Sequence, residues 1–152
     1  MAKSIAKVLI TLVFFIGISQ AMMVKYKDCG SKSIISEVDV SPCTSQPCVL
    51  IKGSNETIDV HFTPEKDIKS VAVNLQGIIG GVPLPFPVPH PDACSWPGSG
   101  LKCPLKKGQQ QHYTMQLPVR HSYPSLKLLA KLSLVDQTKS ALVCVEIALQ
   151  IK

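Results

Sequence analysis

The sequence lacks the short motifs that usually carry catalysis. It has no G-x-S-x-G nucleophile motif, no H-E-x-x-H zinc motif and no glycine-rich phosphate loop. Its four histidines lie far apart in the chain, and Asp28, Asp59 and Asp92 have no evident carboxylate partner. We therefore expect no enzyme, no cofactor and no bound metal. A secreted hydrolase that assembles its histidines in space is the competing interpretation.

Charge is scarce and scattered. Charged residues make up 17% of the 152 residues and hydrophobic residues 45%, so the chain can fill one core and is not of the disordered type. The 16 Lys and Arg exceed the 10 Asp and Glu only mildly, which gives a net charge of +6. This balance does not indicate nucleic acid as a partner. With no internal repeat and no low-complexity tail, one monomeric domain is expected.

Long apolar runs are absent except near the N-terminus. Lys3 and Lys7 precede the apolar segment Val8–Ile18, and Ser19–Ala21 supplies a small-x-small cleavage pattern. The run is about half of the ~20 residues that a membrane span requires, which argues against the alternative of a membrane anchor. The sequence thus predicts a secretion signal over 1–21 and one domain over 22–152. Extracellular secretion is expected, with the lysosomal lumen as the other destination.

Six cysteines follow the predicted signal: Cys29, Cys43, Cys48, Cys94, Cys103 and Cys144. An even number in an oxidising compartment favours three disulfides and leaves no catalytic thiol. The alternative is zinc, but C-x4-C and C-x8-C match its usual short ligand pairs poorly. Six cysteines allow fifteen pairings. Proximity in sequence suggests Cys43–Cys48 and Cys94–Cys103, which leaves Cys29 with Cys144.

Hydrophobic residues recur at every second position, which is typical of strands. Segment 126–135 alternates in this way too, although its leucines suit a helix equally well. The chain has no alternation of strands with helices, so we expect an antiparallel β-sandwich. On its predicted strand, His61 lies on the polar face and is expected to be a solvated side chain. Besides 126–135, the predicted strands are 37–40, 57–63 (the strand of His61), 71–76, 113–117 and 143–151.

Proline occupies every second position from Pro83 to Pro91. Because successive N–H groups of an extended chain point to opposite sides, this spacing removes the donors along one edge only. The segment therefore predicts an edge strand or a stiff polyproline-like arm. Its alternating apolar residues suit the rim of a cavity, and a proline-rich loop over a core edge is an equally open interpretation.

Two surface features bear on export and membranes. Asn55-Glu56-Thr57 is an N-glycosylation sequon, so Asn55 is a candidate acceptor. Lys102, Lys106 and Lys107 form a small basic loop. Such a loop is usually a solvated turn. The alternative is a functional loop whose lysines contact anionic lipid head groups.

Several motifs, distributed over nearly the whole of 22–152, together resemble the ML lipid-recognition domain family, and its arthropod branch in particular. They include Y-K-D-C-G-S at 26–31, V-S-P-C at 40–43, G-V-P-L-P-F-P at 81–87, L-P-V at 117–119 and Y-P-S-L-K-L at 123–128. The resemblance implies an immunoglobulin-like sandwich of two antiparallel sheets around an apolar cavity. It also implies the disulfides Cys29–Cys144, Cys43–Cys48 and Cys94–Cys103.

By the same resemblance, the protein is a secreted carrier that holds and transfers a sterol. Fatty acids and semiochemicals are the alternative ligands that the resemblance implies. The alternative functional class is a module that presents lipid in innate recognition. Transient contact with a membrane or a lipid receptor is expected. The aliphatic Leu132 and Val145 stand where the vertebrate members of the family usually have large aromatics, which should reshape the cavity. The implied lining residues are Leu84, Phe86, Leu117, Val119, Tyr123, Pro124, Ala130, Leu132 and Val145.

Overall fold

Ten strands make up about half of the described residues in the computed structural model, which describes Gly17 and residues 20–152. The predicted secretion signal falls largely outside the described residues and stays a prediction. The strands are β1 (Met22–Met23), β2 (Tyr26–Asp28), β3 (Ile34–Ser41), β4 (Cys48–Leu50), β5 (Asn55–Thr63), β6 (Val71–Ile79), β7 (Val82–Phe86), β8 (Gln111–Pro118), β9 (Leu126–Asp136) and β10 (Ala141–Ile151). Helical structure in the described part is a single 3-10 turn, Pro97–Ser99.

The strands form two sheets that face each other. The four-stranded sheet has the order β1-β3-β5-β8, and the six-stranded sheet has the order β2-β10-β9-β6-β7, with β4 also paired to β10. All pairs are antiparallel except β4 with β10. The antiparallel sandwich predicted from the alternating pattern is confirmed. The ambiguous segment 126–135 is a strand, because β9 pairs with both β6 and β10 along its length.

Alternation places the core between the sheets. Along β5, Ile58, Val60 and Phe62 are buried, while the intervening Asp59 and His61 remain partly exposed on the outer face. Burying one face of each sheet against the other removes apolar surface from water, which is the main source of stability. The structure also contains the three disulfides that the resemblance implies.

The two ends of the sandwich are built differently. At the closed end, where β9 turns into β10, residues 92–105 cover the core. Ile68 and Leu105 exchange backbone hydrogen bonds of 2.9 and 2.8 Å there, and both side chains are buried. At the open end, where β8 and β10 finish, a cleft opens between the sheets. The open end is therefore the place to look for a site.

Candidate functional site

A narrow cleft enters the sandwich at the open end. Its enclosed part has a volume of about 30 Å³, and the space including its mouth is about 380 Å³. Of the described residues that line it, only Gln76 and Tyr123 carry a polar side-chain group. The cleft is thus suited to bind apolar molecules. Its lining comprises Leu50, Leu75, Gln76, Gly77, Phe86, Leu117, Pro118, Val119, Tyr123, Leu128, Ala130, Leu149 and Ile151.

Small residues in the six-stranded sheet create this space. Gly77 of β6 lies opposite Ala130 of β9 in the strand register, so two neighbouring positions of the cleft wall carry almost no side chain. A Cβ at Gly77 would lie 3.3 Å from Cδ1 of Leu128, which is tighter than an ordinary contact. Leu128 therefore leans over the glycine and narrows the cleft from one side.

Two aromatic rings meet at the mouth. Phe86, at the end of β7, and Tyr123, in the segment after β8, have ring centroids 5.0 Å apart with an interplanar angle of 64°. This edge-to-face arrangement is a favourable geometry for an aromatic pair. The pair thus brings the edge strand β7 into contact with the segment that connects β8 to β9 at the mouth of the cleft.

The edge strand β7 supplies Phe86 in the way that its prolines predict. Pro83 and Pro85 lie within β7, which pairs with β6 on one side and with no described strand on the other. The phenylalanine lies opposite Leu75 in the register. Because β7 is held along one edge only, it can move away from the cleft while breaking fewer hydrogen bonds than a central strand would.

The segment that carries Tyr123 is fixed to a neighbouring turn. The Val119 N–H donates to the Ser54 carbonyl at 2.8 Å, and Lys52 Nζ donates to Ser125 Oγ at 2.8 Å. Gly53 has a φ of +88°, and a Cβ there would lie 2.6 Å from His121 Nε2. Only glycine satisfies both the backbone conformation and this close approach.

Five of the residues that the resemblance implies line the cleft: Phe86, Leu117, Val119, Tyr123 and Ala130. The other four do not. Leu132 and Val145 are fully buried deeper in the core, towards the closed end. Leu84 and Pro124 are exposed beside the mouth, with Leu84 47% exposed.

Sequence reasoning missed several lining residues. Leu149 and Ile151 alternate with Val145 on one face of β10, and Leu128 alternates with Ala130 on β9, so the period of two was a sufficient signal for these three. Leu50, on the short β4, carries no such signal. Gly77 is likewise invisible in the pattern, because its contribution depends on which residue lies opposite it.

One buried carboxyl lies near the cleft. Glu56 of β5 is 2% exposed and lies opposite Leu117 in the register. Ser54 Oγ donates to its Oε1 at 2.9 Å, whereas its Oε2 has no hydrogen-bond partner among the described residues. Burial raises the pKa of Glu56 above its ordinary value, and the Ser54 hydrogen bond opposes this only in part.

A second, roomier groove adjoins the mouth. The residues that follow β7, Pro87, Val88 and Pro89, form one of its walls. The opposite wall contains Arg120 and Tyr123, so the one cationic side chain of this groove lies next to the aromatic pair. The groove thus places one cationic side chain on an otherwise largely apolar surface immediately outside the cleft.

Fold and cleft together define an immunoglobulin-like β-sandwich with an apolar binding site between its sheets. Comparison with known proteins then identifies the family: the model of the ML domain matches residues 23–151. NPC intracellular cholesterol transporter 2 of Mus musculus is 41% identical over 143 residues, which are 93% of this chain and 94% of that protein. The chain belongs to the ML domain family.

An insect protein and a solved structure support this assignment. The ecdysteroid-regulated 16 kDa protein of Manduca sexta is 39% identical over 129 residues, which are 83% of this chain and 87% of that protein. A crystal structure of a Niemann-Pick type C2 protein from Japanese carpenter ant superposes with a TM-score of 0.80 at 32% identity. The match covers 84% of this chain and 99% of that one.

Proposed function

We propose that this protein is a carrier that holds one sterol, or a similar single lipid, between its two sheets and transfers it. The apolar cleft between the sheets carries this proposal, because nearly every group that lines it is apolar. The family supports it, since the mouse relative is named a cholesterol transporter. Three disulfides suit an exported protein, and we propose an extracellular or lysosomal destination.

Binding requires the cleft to widen. Its enclosed volume of about 30 Å³ is far below the roughly 300–1,000 Å³ of typical ligand sites. A guest must therefore part the sheets at the open end and displace the Phe86–Tyr123 pair. As the gap deepens, Leu132 and Val145 are the next inward-facing residues, so we propose that they become the floor of the occupied site.

The driving force is the transfer of apolar surface out of water. Burying about 400–500 Å² of ligand at ~25 cal/mol/Å² gives roughly 10–12 kcal/mol before costs. Loss of ligand freedom and the work of opening the sheets reduce this to micromolar or nanomolar affinity. A sterol hydroxyl would remain at the mouth near Tyr123 and Gln76, because burying it without a partner is costly.

Arg120 favours a second candidate ligand, a long-chain fatty acid or a related acidic semiochemical. Its guanidinium lines the groove immediately outside the cleft, where a carboxylate head group would lie with the acyl chain inside. Arg120→Gln should weaken fatty-acid binding severalfold and leave sterol binding unchanged. Equal effects on both ligands would show that the arginine does not select the head group.

We propose that the protein catalyses no reaction, since Tyr123 is the only ionisable side chain of the described cleft lining. Contact with an acceptor membrane or a lipid receptor would occur at the open end, where the ligand leaves. Turnover of ester or RNA substrates by the purified protein would contradict a carrier function. Capture of a protein partner without measurable lipid binding would instead favour a lipid-presenting module.

The proposal is tested by titrating a fluorescent sterol and a fluorescent fatty acid into wild type, Phe86→Ala and Val119→Phe. Both variants should bind at least tenfold more weakly while their circular dichroism spectra remain those of a folded β-protein. Native mass spectrometry of protein purified from its source should show one lipid per chain. Unchanged affinity of both variants for both probes would refute the proposed lining.

A further inference from the structure

Acidic and imidazole side chains cluster on the outer face of the four-stranded sheet, on the side opposite the cleft. The strand register places them in two adjacent rows that run across β3, β5 and β8. The first row is Glu37, His61 and His112, and the second is Asp39, Asp59 and Thr114. All six side chains point outward, because their neighbours Val38, Val60 and Tyr113 are buried between the sheets.

Three of these residues bring ligand atoms close together. One carboxylate oxygen each from Glu37 and Asp39 and one ring nitrogen of His61 all lie within 4.8 Å of one another. All three side chains are partly buried. In tetrahedral coordination with bonds of about 2.0–2.2 Å, ligand atoms are about 3.4 Å apart. Rotation of the flexible Glu37 side chain can bring its carboxylate oxygen from its present position, within 4.8 Å of the other two atoms, to the spacing that a bound metal requires.

A second set of contacts fixes the imidazole. The rings of His61 and His112 stack with centroids 4.1 Å apart and an interplanar angle of 16°. Asp59 Oδ1 lies 2.8 Å from His112 Nε2 and accepts a hydrogen bond of 2.6 Å from Thr114 Oγ1. His112 is therefore oriented by Asp59, and its ring in turn orients the ring of His61.

The negative charge of this cluster is not neutralised by lysine or arginine. Asp39 and Asp59 lie directly opposite each other in the β3–β5 register, an arrangement of like charges that destabilises a sheet. The ion pairs formed within residues 20–152 are Lys66–Asp136 and His112–Asp59, so neither Glu37 nor Asp39 forms an ion pair with lysine or arginine, and the basic group beside both is the imidazole of His61. A divalent cation would relieve this repulsion.

We propose that Glu37, Asp39 and His61 form a binding site for one divalent transition-metal ion, with Zn²⁺ as its representative. One imidazole nitrogen with two carboxylate oxygens suits Zn²⁺, whereas Mg²⁺ and Ca²⁺ prefer oxygen ligands throughout. Water, or His112 after a rotation, completes the coordination. His112 and Asp59 are positioning residues, because they act through the ring of His61. The ion would link β3 to β5 and stabilise the sheet.

The test is calorimetric titration of Zn²⁺ into untagged, disulfide-intact protein at pH 7.5. Wild type should bind one ion per chain, with a higher Tm that EDTA reverses, and Mg²⁺ should produce neither effect. His61→Gln and the double variant Glu37→Gln/Asp39→Asn should bind at least tenfold more weakly. His90→Gln is the matched control, because His90 stacks on Trp96 and contributes no ligand atom to the cluster, and it should bind Zn²⁺ as wild type does.

A spectroscopic measurement separates ligation from folding. Zn²⁺ should shift the ring resonances of His61 in wild type, and Asp59→Asn should weaken binding about 10–100-fold, as is usual for a group that orients a ligand. All variants should retain the lipid affinity of wild type, since the cluster faces away from the cleft. The proposal is overturned if wild type shows no saturable Zn²⁺ binding up to millimolar concentration. It is equally overturned if His61→Gln binds Zn²⁺ with unchanged affinity and stoichiometry.

Discussion

The closed and open ends of the sandwich use the same strands for different purposes. Inward-facing residues of β9 and β10 near the closed end, such as Leu132, Leu134 and Val143, have no exposed surface, whereas Leu128 at the open end is only half-buried. Two disulfides, Cys29–Cys144 and Cys94–Cys103, hold the closed end. The difference teaches that stability is concentrated at one end, which leaves the other free to open for a ligand.

The largest expected effect compares the disulfides of the two ends. Cys29–Cys144 closes a loop of 115 residues, so the double serine variant should lose about 4 kcal/mol of unfolding free energy. Cys43–Cys48, near the open end, spans only 5 residues and should contribute about half as much. Urea unfolding without reductant measures both. Equal losses from the two double variants would contradict the division between the ends.

Leucine truncations sharpen the comparison along one strand. Leu132→Ala removes a fully buried side chain and should cost about 2–4 kcal/mol, because the rigid surroundings cannot close the cavity. Leu128→Ala, four residues earlier at the cleft, should cost roughly half of this and should change lipid affinity more than Leu132→Ala does. Unfolding curves and sterol titrations of both variants check this, and the opposite ranking in stability would contradict it.

The Asp136 carboxylate at the closed end should stabilise the fold at neutral pH but not in strong acid. Burial opposes ionisation of Asp136, but Lys66 Nζ at 2.8 Å and hydrogen bonds from Thr138 and Ser140 outweigh it and lower the pKa to about 2. Because this pKa is below that of the unfolded chain, the stabilisation is present above about pH 4 and is lost between about pH 4 and pH 2. Asp136→Asn should therefore cost about 2 kcal/mol at pH 7 and little at pH 2.

Thermal melts of wild type and Asp136→Asn between pH 2 and pH 7 measure this dependence. Glu65→Gln, which changes an exposed acid of the same end, is the control and should track wild type at every pH. A constant difference between wild type and Asp136→Asn across this range would show that the hydrogen bonds contribute without the charge.

The buried acid at the open end should have the opposite and smaller pH dependence. Burial raises the pKa of Glu56 above the unfolded value of 4.5, so the folded protein retains this proton more strongly. Its contribution to stability is present below about pH 4.5 and is lost as the pH rises through the raised pKa. Glu56→Gln should stabilise the protein at neutral pH and not at pH 4. A Tm difference that does not change between these pH values would refute the assignment.

The contrast between the ends also explains what the sequence could predict. Period-two alternation predicted the long strands β3, β5, β6, β8, β9 and β10 but not the short β1, β2 and β4, and the cysteine spacing suggested the disulfides that the structure contains. The proline strand and the L-P-V and Y-P motifs pointed to Phe86, Val119 and Tyr123, which all line the cleft. Except for Cys29–Cys144, which follows by elimination, each of these signals lies within a few residues of the feature it predicts.

Local signals could not predict how deeply a side chain lies between the sheets, or which residues lie beside it on neighbouring strands. Leu132 and Ala130 share one face of β9, yet only Ala130 lines the cleft, because Leu132 lies deeper between the sheets and is fully buried. His61 and His112 are distant in sequence, and only the β5–β8 register stacks their rings. The solvated His61 that the sequence suggests is, in the structure, half-buried beside two carboxylates.

Sterol binding by a matched pair of alanine variants tests the central claim most directly. Ala130→Phe fills the cleft from β9, whereas Ala148→Phe places the same ring on the exposed face of β10. With both variants folded by circular dichroism, Ala130→Phe should lower the affinity for a fluorescent sterol at least tenfold, and Ala148→Phe should leave it unchanged. Wild-type affinity in Ala130→Phe would contradict a ligand site between the sheets at the open end.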